Sequence, residues 1–479
     1  MHPKKEDNMI KHAVRFGNKM IIIGLPLLTF IIYFMMFHLP DLRLSVPEWI
    51  SGCALITILL ALGVYRGQEG SAAWSFGFII SMGAVFRVLF LMRPPELSDD
   101  IYRYLFDGQV LLSGANPYHA APLDALSSHS SLFGLAALIN HADLPTIYPP
   151  AAQFVFAAGA FLGGVFGMKL LLVALDLLSC VLMARILHQF GRPQSCLILY
   201  AWHPLPVMEI AGSGHIDSAV IFFTFMSLFF LMRSTFTAGG FKIKWHSLSG
   251  WAAGFFLAAA VLTKWLPLMF LPGVALLSCS GNRRSAVYGF LLGGIAMMGV
   301  FWPEVQNGLH TLSIYAANWE FSGFAFRLLR AVSGSGGIAR LVLAAVFTAV
   351  AGIVYFRCYR AIGGFRQGKT FGDGLLIFKA VYGVVIAFLI LTPTLHPWYV
   401  LYLAAFLPFT GGAAGMVLSW SVFLGYRVMI LYGMTGQWIE NDFFPMLLVA
   451  GPMAAFILAA VNRKIAGKFQ EKSPNHFPG

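Results

Sequence analysis

The chain has 479 residues, of which 58% are hydrophobic and only 11% are charged, and its mean hydropathy is +0.75. Soluble domains carry more charge than this, so the composition excludes a soluble globular protein and indicates helices buried in lipid. The net charge of +12 is typical of a membrane protein whose basic residues lie on the cytoplasmic side, so it does not by itself indicate nucleic-acid binding. None of the five cysteines is paired at metal-ligand spacing.

Long apolar runs predict an all-α integral membrane protein with about fourteen transmembrane helices. They lie at 20–38, 48–66, 72–92, 168–188, 194–211, 215–232, 249–264, 265–280, 285–302, 338–356, 375–392, 396–410, 413–432 and 443–461. The basic segment 1–19 continues into the first run without a cleavage site, so we predict a cytoplasmic tail and a retained first span. The transmembrane domain then covers 20–461, and 462–479 forms a second cytoplasmic tail.

One apolar segment, 151–166, decides the topology. If it crossed the membrane, every later loop would be inverted, and Arg283 and Arg284 would lie outside. If it lies in the outer interface instead, 21 of the 32 basic residues face the cytoplasm and both termini are cytoplasmic. We therefore predict interfacial helices in a first extracytoplasmic loop at 93–169, and a second outer loop at 303–337.

An acidic motif follows the third predicted span and begins the first outer loop. Ser98 is suited to cap a helix, and Asp99 and Asp100 would then lie in its first turn, where the helix dipole favours carboxylates. Asp100, Arg103 and Asp107 are spaced to share roughly one helical face. Acids that face a long loop are well placed to take a proton from an incoming hydroxyl. The alternative is a capped interfacial helix whose charges are only solvated.

Two further motifs of this loop contain turn-forming residues. Residues 114–118 predict a helix end and a turn, in which Asn116 and Tyr118 either contact a ligand or only hold the loop together. Tyr148 precedes two prolines that suit the start of the interfacial helix, and a tyrosine there fits the aromatic belt of the membrane surface.

Titratable residues also lie at the outer ends of later spans. His215 and Asp217 follow a Gly-Ser-Gly sequence that permits a tight re-entry, and a helix cap would explain Asp217 but not His215. Lys264, beside Trp265, either extends to the interface or meets a phosphate group in the outer leaflet. His396 precedes two aromatic residues in a similar setting.

Together these motifs resemble those of bacterial GT-C glycosyltransferases, in particular the polyprenyl-phosphate-mannose-dependent mannosyltransferases and glycosyltransferase family 87 relatives. The resemblance extends over about 90–400 and rests on residues 99–108, 114–118, 145–153, 211–217 and 262–264. It implies a bundle of membrane helices whose first large outer loop forms interfacial helices over the active site. Here the acidic loop follows the third span, whereas in many of these enzymes it follows the first.

The resemblance also implies a reaction. A hexose, with mannose favoured, would move with inversion from a polyprenyl-phosphate donor to an extracytoplasmic lipid- or glycan-linked acceptor. One loop aspartate would be the general base, and we prefer Asp100 to Asp99 because it shares a face with Arg103. Substrate contacts are expected from Tyr102, Arg103, Asp107, Asn116, Tyr118, Tyr148, His215, Asp217, Lys264 and His396.

Three points stay open in the sequence. No cofactor is certain, and Asp99, Asp100 and Asp217 could form a weak site for a hard divalent cation. A transporter or flippase of lipid-linked sugars would need charged groups within the bilayer, for which the candidates are Arg87, Asp176, Lys379 and Arg427. A non-catalytic membrane scaffold is the third class. We predict an enzyme of the bacterial inner membrane with an extracytoplasmic active site.

Overall fold

The computed structural model describes residues 23–67, 74–126, 130–235, 243–278, 280–364, 370–441 and 443–471. Within these ranges the regular elements are helices, and extended backbone is paired only in isolated bridges from Phe321 and Ser322 to Thr394. The predicted tail 1–19 lies outside the described residues, and so does 472–479 of the second predicted tail.

The α-helices are α1 (Ile23–Phe37), α2 (Val46–Gly67), α3 (Phe76–Leu91), α4 (Asp100–Leu112), α5 (Pro122–Ala125), α6 (Phe133–Ala136), α7 (Pro150–Leu162), α8 (Gly164–Gln189), α9 (Ile198–Ala201), α10 (Pro204–Pro206), α11 (Asp217–Thr235), α12 (Ile243–Val261), α13 (Leu271–Leu277), α14 (Ser280–Val300), α15 (Val305–Asn318), α16 (Phe324–Ser333), α17 (Gly336–Ala361), α18 (Phe371–Leu391), α19 (Leu401–Ala404), α20 (Leu407–Thr410), α21 (Ala413–Ser421), α22 (Val428–Thr435) and α23 (Phe443–Glu471). A π-helix forms Val207–Gly212, and 3-10 turns form Ser130–Leu132, Gln194–Leu197, Leu266–Phe270, Pro397–Val400 and Val422–Arg427.

Several helices are long and apolar enough to cross a membrane. In the described residues there are five: Val46–Val64, Gly164–Gln189, Gly336–Ala361, Phe371–Leu391 and Ala413–Thr435. Two sharply bent helix pairs raise the number to seven if each pair is one span, and six shorter apolar helices accompany them. These features agree with the predicted all-helical membrane protein, whereas the count of about fourteen spans stays a prediction.

A buried ion pair joins two helices of the bundle. Arg87 of α3 lies 2.5 Å from a carboxylate oxygen of Asp176 in α8, and both side chains are fully buried. Tyr200 donates a hydrogen bond of 2.6 Å to the other oxygen of Asp176. This ion pair has a structural role, because the loss of either partner would leave the other as an uncompensated buried charge. Two of the four charged residues considered for a transport path are therefore already neutralised, and Lys379 and Arg427 are exposed on the protein surface.

The predicted interfacial segment 151–166 is observed as α7, which ends at Leu162 before α8 begins at Gly164. With 13 residues, α7 is about 20 Å long, which is shorter than the hydrocarbon core of roughly 30 Å. It packs along α4. Gly108 permits this contact, since a Cβ atom there would lie 2.3 Å from the carbonyl oxygen of Phe156. The length of α7 is compatible with an interfacial position, which stays a prediction.

The second predicted outer loop is also helical. It contains α15, which turns by 102° from α14, and the amphipathic α16. Arg327 of α16 forms an ion pair with Glu440, and the same carboxylate accepts a hydrogen bond of 3.1 Å from the backbone of Ser322. Through Glu440, the segment before α23 is attached to this second outer loop.

Candidate active site

A cavity of about 760 Å³ opens beside the first turn of α4. One part of its wall is polar and carries Arg43, Asp99, Asp100 and Lys264 among other residues. The rest is aromatic and aliphatic, with Trp319, Phe347, Phe388, Trp398, Tyr399 and Met429. Binding cavities in proteins commonly combine a large apolar surface with a few polar groups that fix the orientation of the ligand.

The helix α4 starts one residue later than the sequence predicted. Asp99, rather than Ser98, is the N-cap residue, and only Asp100 lies in the first turn. The Ser98 hydroxyl still contributes at this helix end, because it accepts a hydrogen bond of 3.3 Å from the backbone N–H of Asp100. Both aspartates line the cavity.

Asp100 is the more buried of the two candidate bases. Its carboxylate accepts a hydrogen bond of 3.3 Å from the Tyr148 hydroxyl and has 32% of its side-chain surface exposed. Burial raises the pKa of Asp100, while Lys264 and the Tyr148 hydroxyl oppose this shift. A carboxylate with a raised pKa binds a proton more firmly than a solvated one, which suits a general base.

Asp99 lies nearer the rim. Its carboxylate accepts a hydrogen bond of 3.4 Å from the side-chain amide of Asn140, which is exposed. Burial raises the pKa of Asp99, and the Asn140 amide opposes this shift. Because its partner is a neutral amide at the surface, Asp99 is suited to contact an incoming polar ligand.

Arg103 and Asp107, two of the three residues predicted to share a face of α4, form an ion pair. The guanidinium lies 2.9 Å from the Asp107 carboxylate and also donates to the backbone carbonyl of Leu144 at 3.1 Å. Arg103 lines the cavity, whereas Asp107 is buried behind it. Asp107 therefore orients Arg103. Tyr102, on another side of the helix, is half-buried among apolar side chains.

A tight turn between the π-helix and α11 brings His215 and Asp217 beneath Asp100. Gly214 has φ of +78°, and a Cβ atom there would lie 2.5 Å from the side chain of Ile101 in α4. Only glycine meets both requirements without strain. The chain changes direction by 120° at this turn, so a sharp turn lies where the Gly-Ser-Gly sequence permits one.

Lys264 and Asp217 form an ion pair at the base of the cavity. The ammonium lies 2.8 and 2.9 Å from the two carboxylate oxygens, and Asp217 is fully buried. Tyr402 donates a third hydrogen bond to Asp217 at 2.6 Å. The Lys264 ammonium also lies 5.1 Å from the centre of the Tyr399 ring. These partners fix the position of a cation that faces the cavity.

His396 and His215 lie on opposite sides of one tryptophan. The Trp398 ring stacks on His396 at 4.3 Å and on His215 at 4.0 Å. His396 lines the cavity, while His215 is fully buried and lies behind Trp398. Of the two histidines predicted to contact substrate, His396 therefore lies at the cavity surface and His215 lies behind that surface.

Asn116 and Tyr118 hold the outer loops together. The Asn116 amide donates to the Glu304 carboxylate at 3.2 Å, and the Tyr118 hydroxyl donates to the backbone carbonyl of Tyr148 at 2.5 Å. Tyr118 is buried, and its own carbonyl accepts a hydrogen bond of 2.9 Å from Asn307. These contacts favour the structural alternative for Asn116 and Tyr118, and Tyr118 fixes the backbone from which Tyr148 reaches Asp100.

Some residues that line the cavity were not predicted from the sequence to belong to the site. Tyr426 comes from a distant apolar segment and Trp438 from the connection between α22 and α23, and neither belongs to a motif that the prediction used. Arg43 could have been predicted. The excess of basic residues on the cytoplasmic side places the loop that contains Arg43 outside, and a basic residue in an outer loop is an exception to that distribution. It lines the cavity and lies 2.9 Å from Asp41, with 47% of its side chain exposed.

The described residues contain no group of three or more His, Cys, Asp or Glu side chains arranged to hold a metal ion. Asp217, the third member of the weak cation site considered above, is bound by Lys264 instead. The acids of this site are therefore arranged for hydrogen bonding and charge pairing.

Comparison with known proteins assigns the chain to a family. Residues 41–280 match the family described as alpha-(1->6)-mannopyranosyltransferase, N-terminal domain. The chain belongs to this family. The match includes Asp100, Asp217 and Lys264, and it confirms the resemblance inferred from the motifs. The family match ends before His396, Trp398 and Tyr426, which also line the cavity.

A curated relative supports the same family. Alpha-(1->6)-mannopyranosyltransferase B of Corynebacterium glutamicum is 22% identical to this chain over 384 residues, which cover 73% of the chain and 61% of the relative. The chain thus matches less than two thirds of that relative's length. No solved structure matches the chain.

Proposed function

We propose that this member of the mannopyranosyltransferase family is a membrane glycosyltransferase. It moves a mannosyl residue, with inversion, from a polyprenyl-phosphate donor to an extracytoplasmic hydroxyl of a lipid- or glycan-linked acceptor. The observation that carries the proposal is the position of Asp100, a carboxylate held by Tyr148 in the wall of a large cavity that also contains Lys264.

In this reaction Asp100 acts as the general base. The acceptor hydroxyl attacks the anomeric carbon from the face opposite the phosphate, and its proton moves to the carboxylate as the bond to the phosphate breaks. A positioned base typically contributes a factor of about 10² to 10⁴. The raised pKa of Asp100 supports this assignment, because burial strengthens its affinity for the proton.

Positive charge is needed in the cavity to stabilise the negative charge that develops on the leaving phosphate. Lys264, Arg103 and Arg43 all line it, and cations fixed in advance stabilise developing negative charge without reorganisation. Lys264 and Arg103 are each held by a buried aspartate, so their positions are set before a substrate arrives.

The two kinds of cavity wall suit a donor that is polar at one end and apolar at the other. Phe347, Phe388 and Met429 offer an apolar surface for a prenyl chain, and the aromatic rings of Trp319 and Trp398 suit the C–H faces of a sugar. The donor carries its own activated phosphate, so this reaction requires no nucleotide site in the chain.

The test uses purified protein in lipid nanodiscs, with a panel of polyprenyl-phosphate sugars and mannose-bearing glycolipid acceptors. We expect a mannosylated product of inverted anomeric configuration, formed in equal amount with free polyprenyl phosphate. Failure to transfer any sugar of the panel would contradict the proposal. Movement of intact donor across a vesicle bilayer without transfer would instead support a flippase.

A further inference from the structure

A second, smaller cavity lies beside the candidate active site, between α22 and the start of α23. Its volume is about 320 Å³. Phe321 and Val428 line both cavities, so the two share a wall. Most of the other side chains that line the smaller cavity are apolar, and three of them, Leu431, Met434 and Ile439, are exposed. An exposed apolar surface beside a membrane helix suits the acyl chains of a lipid.

The smaller cavity contains a cation that belongs to an apolar span. Arg427 is part of Ala413–Thr435, one of the helical stretches that are long and apolar enough to cross a membrane. The residues that follow it, Val428 and Met429, line the candidate active site, so Arg427 lies toward that end of the span. Its side chain is exposed. A charged side chain in such a span is costly, and where one occurs it commonly marks a functional site.

The guanidinium of Arg427 is held in place without being neutralised. It lies over the Phe444 ring in the first turn of α23, 4.9 Å from the ring centre. Glu440, the acid among the described residues that line the cavity, forms its ion pair with Arg327 instead. Within the described ranges no carboxylate pairs with Arg427, so its positive charge remains available to an anionic ligand.

A neutral hydrogen-bond donor lines the same cavity. The side-chain oxygen of Asn441 accepts a hydrogen bond of 2.7 Å from the backbone N–H of Phe443, which leaves the amide NH₂ group free to donate to a ligand. Guanidinium and amide groups both donate to phosphate oxygens. Because the charges of Glu440 and Arg327 cancel, the described lining has a single excess positive charge. That charge fits a phosphodiester monoanion better than a phosphate dianion.

We propose that this cavity binds an anionic glycerophospholipid of the surrounding membrane. The phosphodiester accepts hydrogen bonds from Arg427 and Asn441, and the acyl chains pack on the exposed apolar side chains of α22. Basic pockets between membrane helices bind anionic lipid headgroups in this way. A lipid in this position contacts both α22 and α23, and it therefore stabilises the connection that carries Trp438 to the candidate active site.

Native mass spectrometry of the purified full-length protein measures this binding directly and needs no sugar donor. The two probes are phosphatidylglycerol, which is anionic, and phosphatidylcholine, whose headgroup contains a compensating cation. We expect phosphatidylglycerol to bind about 10-fold or more tightly than phosphatidylcholine, and Arg427→Gln to lose this preference, because a charge-assisted hydrogen bond is removed. Equal affinity of the wild-type protein for the two lipids would overturn the proposal.

Two further variants separate this site from general surface charge. Lys379 is also an exposed cation of an apolar span, Phe371–Leu391, but it lines neither cavity, so Lys379→Gln should bind phosphatidylglycerol as the wild type does. Phe444→Leu retains the cation and removes the ring beneath it, which should weaken binding about 2- to 5-fold. Equal losses in Arg427→Gln and Lys379→Gln, or wild-type affinity in Phe444→Leu, would contradict the assigned site.

Photo-crosslinking locates the lipid and identifies its class. Phosphatidylglycerol with a diazirine in its headgroup should label peptides from 427–445 in the wild-type protein and not in Arg427→Gln. Displacement of the label by an equal concentration of polyprenyl phosphate would assign the cavity to the sugar donor, and displacement by inorganic phosphate would assign it to a free anion. Either result would overturn the proposal. None of these measurements depends on sugar transfer, so the proposed function and the lipid site fail separately.

Discussion

The Tyr148 hydroxyl donates a hydrogen bond of 3.3 Å to the Asp100 carboxylate across 48 positions of the chain. The backbone carbonyl of Tyr148 is held in turn by the hydroxyl of the buried Tyr118. The carboxylate that we assign as the base is therefore positioned by two tyrosines of its own loop.

This contact predicts how the pH profile responds to Tyr148→Phe. Because burial raises the pKa of Asp100, the ionised base is lost as the pH falls through a value above the usual range for aspartate. The Tyr148 hydroxyl stabilises the ionised form of Asp100. Removal of this hydroxyl should therefore raise the pKa of Asp100 further and move the acid limb of the pH–rate profile to higher pH. The measurement is the pH dependence of sugar transfer.

Tyr315→Phe is the control for that experiment. Tyr315 also lines the cavity, but its hydroxyl pairs with Tyr399 at 2.9 Å rather than with Asp100. An equal shift of the limb in both variants would show that the effect does not depend on the hydrogen bond to Asp100.

The ion pair between Lys264 and Asp217 predicts a double-mutant result. Lys264→Met alone leaves a buried aspartate unpaired and should destabilise the protein by about 3–5 kcal/mol. Asp217→Asn in the same chain should restore much of this stability without restoring transfer, since the cation is still missing. The double-mutant cycle compares the wild-type protein, the two single variants and the double variant. Thermal unfolding measures their stability, and turnover measures their activity. Additive stability losses would contradict a direct pairing.

The predicted topology can be tested by cysteine labelling in a background that lacks the native cysteines. Asp143→Cys and Arg284→Cys each replace an exposed residue. A membrane-impermeant maleimide should label the first in cells whose outer membrane alone is permeabilised, and the second only after the inner membrane is opened. Early labelling at position 284 would show that α7 crosses the membrane and that the later loops are inverted.

The parts of the site that sequence could predict are local. Capping preferences predicted α4, with an error of one residue at the helix start, and residue spacing predicted the shared face on which Arg103 and Asp107 form a salt bridge. The Gly-Ser-Gly sequence before His215 similarly indicated a tight turn, because a positive φ is a property of a single position.

The remaining parts depend on packing between distant segments. The contact between Lys264 and Asp217 joins residues 47 apart, and that between Tyr402 and Asp217 joins residues 185 apart. No periodicity or cap relates such positions. For the same reason the buried place of His215 behind Trp398 could not be predicted, since it depends on how the 3-10 turn Pro397–Val400 meets the turn before α11.

The central claim is that Asp100, rather than Asp99, takes the proton. The most direct measurement compares the turnover of Asp99→Asn, Asp100→Asn and the wild-type protein with the same polyprenyl-phosphate mannose donor and acceptor. We predict that Asp100→Asn loses about 10² to 10⁴ in rate, whereas Asp99→Asn, which removes a charge at the rim beside Asn140, keeps most of its rate. Full turnover by Asp100→Asn, or a large loss confined to Asp99→Asn, would contradict this account.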